Sequence, residues 1–451
     1  MFRKSIFVLS HNIGHKDFYS VYKKIMNDQW KSYEELKKEQ EEQLRHIISY
    51  SYRYVPFYHK LFDSLNLEPA DINVIEDLEK LPILTKSDIN NHWDDFKPTI
   101  LDRINYYRRS TGGSTGTPFN YRITRFERFL DGATIYKGWS FAGYQLGDRM
   151  VFLGGSSIGI GDTHALYTTV QKKFHEYIRN IRMLSSFDMG EKDMEKYVKI
   201  IKSFRPCYIY GYASSIYFLS NWIEKHGVDI CGIKGIFTTS EKLYPHMRAQ
   251  IEDVFGCDVY NTYGLNDGGV HAFECREHKG LHIPTERSIM EVVNENGEQL
   301  TNGDGKILAT SLYNYSMPFI RYDTGDLGTI TDQACSCGRG YKLLKDVVGR
   351  SVDIFVTPDG TNIHGWFFLY VFWKYSKGIK EYQVVQEKLD KIVIRIVRDE
   401  SVNDIQLDKI RETIMEKSKE WVVEFKFVES IDRTKSGKYK FIINELNKNV
   451  T

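Results

Sequence analysis

Apolar positions in the first part of this chain fall at the spacing of a helix face. From about Asp17 to Phe62, side chains such as Leu44, Ile47, Ile48 and Tyr52 recur three and four residues apart, which predicts amphipathic helix. A proline-punctuated connector, Leu81-Pro82-Ile83-Leu84-Thr85-Lys86, breaks that pattern. From Asp148 to about Phe255, short apolar runs alternate with amphipathic stretches. Residues 150–153 and 207–210 read as buried strands, and residues 235–239 as extended. Residues 192–204, 213–226 and 245–255 read as helices, the last with Pro245 near its first turn. Strand–helix alternation of this kind predicts a parallel sheet with helices on its faces.

Beyond Tyr263 the period shortens. Residues 290–293 and 307–309 are strand-like and Asn296-Gly297 is a hairpin turn, so this region is expected to form an antiparallel sheet or barrel-like portion. From about Gly349 a smaller α+β module begins, of ordinary domain size. It has a strand over 391–398 with Ile392, Ile394 and Ile396 on one face, a helix over 404–419 and a strand over 423–428. The chain is therefore read as α/β, with a large N-terminal domain over 1–348 and a small C-terminal domain over 349–451.

Composition narrows the class without naming it. A length of 451 residues, 41% hydrophobic and 27% charged, suits a globular protein with more than one core. A net charge of +1 gives no electrostatic reason for a nucleic-acid or membrane partner. The apolar run Ser5-Ile6-Phe7-Val8-Leu9-Ser10 is too short for a secretory signal, and no window reaches membrane-spanning length, so a cytoplasmic protein is expected. Six cysteines in a chain this long are not a disulfide framework. No heptad or self-complementary stripe specifies an oligomer.

The densest chemistry lies in Thr111-Gly112-Gly113-Ser114-Thr115-Gly116-Thr117-Pro118. Three glycines bring backbone N–H groups close to an anion, and four hydroxyls can donate to phosphate oxygens. It is neither a Walker A loop nor a GxGxxG turn. Four further segments follow in order: Tyr260-Asn261-Thr262-Tyr263-Gly264-Leu265-Asn266-Asp267, then Arg321-Tyr322-Asp323-Thr324-Gly325-Asp326, then Gly349-Arg350-Ser351, and finally Asp432-Arg433-Thr434-Lys435-Ser436-Gly437-Lys438.

In that order they resemble the adenylate-forming superfamily of acyl-CoA synthetases, adenylation domains and luciferases. The nearer likeness is to its phenylacetate–CoA ligase branch, including relatives in capsular polysaccharide biosynthesis. That nearer likeness is carried by Tyr54-Val55-Pro56-Phe57-Tyr58, Leu81-Pro82, Gly147-Asp148, the glycine-rich stretch from Gly154 to Gly161, and Glu274-Cys275 ahead of Gly280-Leu281-His282-Ile283. The resemblance implies attack of a carboxylate on the α-phosphate of ATP, giving an acyl-adenylate and pyrophosphate. It implies that Thr111, Gly112, Gly113, Ser114, Thr115 and Gly116 hold the β- and γ-phosphates. Asp267, where the family usually has Glu, would help position Mg²⁺, and Asn266 would lie near the α-phosphate. Asp326 would accept the ribose hydroxyls, with Arg350 in support. Ser240, Glu241, Tyr263 and Gly264 would line the nucleotide. Lys438 matches the lysine that bridges carboxylate and nucleotide, with Lys435 its rival, on a small mobile C-terminal lid.

Two positions depart from the family pattern. Phe119 follows Pro118 where many acyl-CoA synthetases have lysine, and Val352 stands at the usual hinge aspartate, with Asp353 after it. Cys275, His278, His282, Cys335 and Cys337 suit a tetrahedral structural Zn²⁺ site joining two loops. Spacing favours His278 as the nitrogen ligand. The resemblance favours the set Cys275, His282, Cys335 and Cys337. Cys207, Cys231 and Cys257 sit in apolar contexts and are expected in the core.

The leading expectation is a ligase that uses ATP and Mg²⁺ to adenylate a small carboxylic acid and passes the acyl group to coenzyme A. A second keeps adenylation but transfers to a protein thiol or an amine in surface-polysaccharide assembly. A third is a nucleotide-binding protein without catalysis.

Overall fold

The computed structural model describes all residues except 1, 111–118, 156–168, 188, 351–353, 376–377, 399–403, 435–438 and 447–451. They form two compact units, residues 1–243 with 250–348, and residues 244–249 with 349–451.

The chain opens with helices α1 (Phe2–Gly14), α2 (Phe18–Asp28), α3 (Tyr33–Tyr54) and α4 (Pro56–Ser64). The apolar run near the N-terminus lies inside α1, with Phe7 buried. The helical stretch read as continuous from Asp17 to Phe62 is thus interrupted twice. Ser32 caps α3 by accepting the Glu35 N–H, and the Glu35 carboxylate accepts the Ser32 N–H at 2.8 Å. Pro56 lacks an N–H and cannot continue α3, but it suits the first turn of α4.

The short helix α5 (Lys86–Asn91) precedes a hairpin of β1 (Tyr106–Ser110) and β2 (Asn120–Thr124), and α6 (Arg125–Ser140) follows. Then come β3 (Met150–Gly154), α7 (Thr169–Arg179), β4 (Ile181–Ser185), α8 (Glu191–Phe204), β5 (Tyr208–Tyr212), α9 (Ala213–Lys225), β6 (Gly235–Thr239), α10 (Pro245–Phe255) and β7 (Val259–Gly264). β3 to β7 run parallel, as the alternation predicts. Every residue of β6 is buried, which is why it carries no polar alternation.

After β7 the sheet turns antiparallel through β8 (His271–Glu274), β9 (Leu281–His282), β10 (Ser288–Val293), β11 (Gly303–Ser311), β12 (Tyr322–Thr331) and β13 (Leu343–Arg350). All these strands join one mixed sheet of eleven, ordered β10-β11-β12-β13-β9-β8-β7-β6-β5-β3-β4. Gly297 takes the left-handed backbone expected of the Asn296-Gly297 turn, with φ of 84°.

The small unit pairs β14 (Ile354–Val356) with β15 (Asn362–His364). After α11 (Trp366–Tyr375) it builds a four-stranded sheet from β16 (Ile379–Lys388), β17 (Lys391–Arg398), β18 (Val422–Phe427) and β19 (Ile442–Asn444), with α12 (Asp404–Met415) between β17 and β18. Ile392, Ile394 and Ile396 are buried, but so is Val393, so β17 is covered on both faces at its centre.

Candidate functional site

The parallel strands end side by side. β6 and β7 pair Thr238 with Asn261, and carrying that register two residues further sets Ser240 level with Tyr263. Ser240 leaves β6 with φ of 65°, turning the chain at the carboxyl edge, where open α/β sheets bind ligands. Glu241 next accepts the Ser214 N–H at 2.9 Å, placing a carboxylate against the first turn of α9.

Two tyrosine–aspartate bonds lace this edge to β12. Tyr263, near the end of β7, donates to Asp326 on β12 at 3.0 Å. In return Tyr322 on β12, fully buried, donates to Asp267 at 2.8 Å. Each partner sits four residues from its counterpart in the other bond, so both acids are fixed by the same two segments. Hydrogen bonds to charged groups are worth about 1.5–3 kcal/mol each, enough to hold a carboxylate's direction. Asp323 accepts the Gly325 N–H at 2.8 Å and acts as the turn former of this segment.

Asp267 is 4% exposed, in the bend after β7. Its neighbours Gly268 and Gly269 both have positive φ, and a Cβ on Gly268 would come within 2.7 Å of the Ala309 side chain. Beneath the bend, Arg287 pairs with Glu127 at 2.9 Å and with Asp131 at 2.8 Å, all three buried. Burial pushes the Glu127 carboxyl up to about 7 against the opposing charge of Arg287. Asn266 and Gly264 are exposed, beside Asp267 and at the end of β7.

Two contributors were not legible from spacing. Lys86, at the start of α5, brings its ammonium within 3.6 Å of the Asp267 carboxylate. Phe119 is buried and stacks on Tyr322, with ring centroids 6.2 Å apart. The connector motif carries Lys86, but nothing local to it points to Asp267. Arg350 ends β13. Thr111, Gly112, Gly113, Ser114, Thr115, Gly116, Lys435 and Lys438 lie outside the described residues.

A second cluster is built from the turns around β8 and β9. Cys275, His282, Cys335 and Cys337 bring one ligand atom each to within 4.8 Å of the others. The sulfurs of Cys275 and Cys335 are 3.7 Å apart, and the Cys337 sulfur is 3.4 Å from Nε2 of His282. A tetrahedral zinc with bonds of about 2.3 Å to sulfur and about 2.0 Å to nitrogen has edges of roughly 3.8 and 3.5 Å. Those two edges match a tetrahedral zinc, and all four donors lie close enough together to close on one ion. Burial, with the nearby charges of Arg339 and Lys137, lowers His282 to about 4, so its ring is neutral and able to ligate at neutral pH. Burial pushes the Cys275 thiol up to about 12, so a cation is needed to hold it as thiolate.

His278, favoured by spacing, is turned away. Its Nδ1 meets Glu274 at 3.0 Å and its ring stacks on Tyr260. The β9 pairing carries His282 inward instead. Cys231 is exposed and not in the core as expected, while Cys207 and Cys257 are half-buried. Among the described residues, no helix is long and apolar enough to cross a membrane.

Comparison with known proteins gives the chain's relatives and the fold it shares. The family model for the CapK C-terminal domain matches residues 355–445. The phenylacetate-coenzyme A ligase of Thermus thermophilus is 27% identical over 381 residues, covering 80% of this chain and 81% of that protein. Protein CapK of Staphylococcus aureus is 22% identical over 414 residues, covering 90% and 89%. Among solved structures, 2-hydroxyisobutyryl-CoA ligase in the postadenylation state, in complex with R3-HIB-AMP, superposes with a TM-score of 0.73 at 19% identity. That match covers 93% of this chain and 92% of the ligase and shows a shared fold.

Proposed function

We propose that this chain, a homologue of phenylacetate-coenzyme A ligases and of CapK, is itself an AMP-forming ligase that adenylates a small carboxylic acid and passes the acyl group to coenzyme A. The observation that carries this reading is the crossed pair of tyrosine–aspartate bonds, which sets Asp267 and Asp326 at the carboxyl edge of the parallel strands.

In this reading Asp326 accepts the ribose hydroxyls, with Arg350 in support, and Ser240, Glu241, Tyr263 and Gly264 line the base. The segment from Thr111 to Gly116 holds the β- and γ-phosphates, and Asn266 serves the α-phosphate. A carboxylate oxygen of the acid forms a bond to the α-phosphorus, and the bond to the bridging oxygen breaks as pyrophosphate leaves. Lys438 stabilises the charge that develops on the reacting oxygens, as oxyanion donors do. Mg²⁺, when bound, would neutralise phosphate charge, and Asp267 is the residue that would hold it. Tyr322 and Lys86 fix the direction of that carboxylate. The thiol–imidazole cluster holds structural Zn²⁺, the adenylating domain spans 1–348 and the lid domain 349–451.

A second reading of the later step, implied by the resemblance to relatives in capsular polysaccharide biosynthesis, is transfer to an amine or protein thiol in surface-polysaccharide assembly. The test is pyrophosphate release with ATP and Mg²⁺ against aryl, fatty, hydroxy, sugar and amino acids, each with and without CoA. Acid-dependent release with CoA-dependent thioester formation is the expected result. Release without thioester selects the second reading. Silence across the panel with ATP still bound removes the enzymatic one.

A further inference from the structure

A surface helix of a globular protein normally turns its apolar stripe to the core and its charges to water. Helix α7 is mounted the other way round. Its Arg179 donates to the Tyr136 hydroxyl at 3.0 Å and reaches Nε2 of the buried His11 on α1. Its Glu176 accepts the Met183 N–H of β4 at 3.1 Å. With those polar groups engaged inward, Phe174 and Tyr177, three residues apart and so on one face, are each more than half exposed. Helix α1 packs against α7 and divides in the same way. Phe7 and His11 are buried, while Leu9 and Ile13, one turn apart on the opposite side, face water, Ile13 with 78% of its surface.

Apolar side chains left exposed on two adjoining helices mark a contact surface, and the charge around them indicates its partner. Residues 2–17 and 169–179 carry Arg3, Lys4, Lys16, Lys172, Lys173 and Arg179 against only Asp17 and Glu176, the latter turned inward. Lys4, Lys16, Lys172 and Lys173 are exposed, and Lys173 stands one turn before Tyr177 on the same side of α7. The net charge of +1 conceals this basic face, because the rest of the chain is slightly acidic. A second copy docked through the same face would set the lysines against each other, since a two-fold contact pairs a surface with itself. An anionic lipid surface satisfies both features at once. Its acyl boundary takes the apolar tips, and its phosphates take the lysine heads.

We propose that α1 and α7 form a docking face for an anionic phospholipid surface, with Leu9, Ile13, Phe174 and Tyr177 bedded at the head-group boundary. The contact is peripheral, for neither helix is long and apolar enough to cross a membrane.

Co-sedimentation of the full chain with vesicles of phosphatidylcholine and phosphatidylglycerol in equal parts, against phosphatidylcholine alone, tests the face. Binding to the mixed vesicles is expected to be tighter by about tenfold or more and to weaken as salt rises. The variants Leu9→Ser/Phe174→Ser and Lys172→Glu/Lys173→Glu are each expected to lose about tenfold or more of that binding. Both should keep the wild-type melting curve, because all four side chains are exposed. Should the first variant fail to fold, the lysine pair carries the test. Absence of wild-type binding to the mixed vesicles, equal binding to phosphatidylcholine, or unchanged binding by either folded variant overturns the lipid face. A dimer in sedimentation velocity that Leu9→Ser/Phe174→Ser dissociates, without vesicle binding, assigns the face to a second copy and overturns it too. Vesicle binding needs neither ATP nor a carboxylic acid, so the result is independent of the ligase reading.

Discussion

The thiol–imidazole cluster and the tyrosine–aspartate edge are both polar clusters of the large unit, and they are built in opposite ways. Around β8 and β9, three sulfurs and one imidazole face each other, with His282 wholly buried. At the carboxyl edge each of the two acids accepts a hydrogen bond from a tyrosine, and the exposed Asn266 and Gly264 lie in the same segment as Asp267. A structural metal site is closed, whereas a site that handles substrate keeps a side open. The contrast teaches that the first cluster should be read in stability and the second in rate.

The sharpest break of that division is Lys438→Ala. It is expected to lower acid-dependent pyrophosphate release by about 10²–10³-fold, the scale of losing one oxyanion donor, with zinc content and thermal stability unchanged. Wild-type release from this variant would sink the lysine's role. Next in size is Cys335→Ser, which reverses the pattern. Purified wild-type protein should hold about one equivalent of zinc, and the variant should lose it, with Tm falling by roughly 5–10 °C, a loss of about 3 kcal/mol. Elemental analysis and a melting curve check both, and a metal-free, equally stable wild type would remove the zinc site.

A smaller effect is expected from Tyr322→Phe. Removing the hydroxyl that holds Asp267 should slow release about tenfold, near 1.4 kcal/mol, mainly in kcat if the acid acts in the transition state. Steady-state kinetics against ATP show the split, and the same rate with unchanged kcat would confine Tyr322 to packing.

The smallest is a pH effect on the metal-free protein. The folded pKa of His282 is near 4, below its ordinary value of 6.5. The unfolded chain therefore binds an extra proton between those values, so this contribution is intact above about 6.5 and is lost as pH falls towards 4. Urea midpoints of metal-stripped protein should fall across that window, and His282→Asn should flatten the slope.

The sequence by itself determined the order of elements and the groups that act within a few residues of each other. Periods of two and 3.6 are local, so the β3 to β7 alternation and the Asn296-Gly297 turn could be read directly. Tyr263 with Asp267, and Tyr322 with Asp326, were legible as pairs of short segments for the same reason. Only the tertiary structure decided that they cross, Tyr263 bonding Asp326 and Tyr322 bonding Asp267. It set His282 rather than His278 beside the three sulfurs, where spacing pointed to His278 and the resemblance to His282, and it alone brought Lys86 to Asp267, exposed Cys231 and set Arg108 against Arg122. Those outcomes depend on strand register and on packing between segments distant in sequence. A shift of one residue would reverse the face of every side chain, and no local spacing encodes that choice.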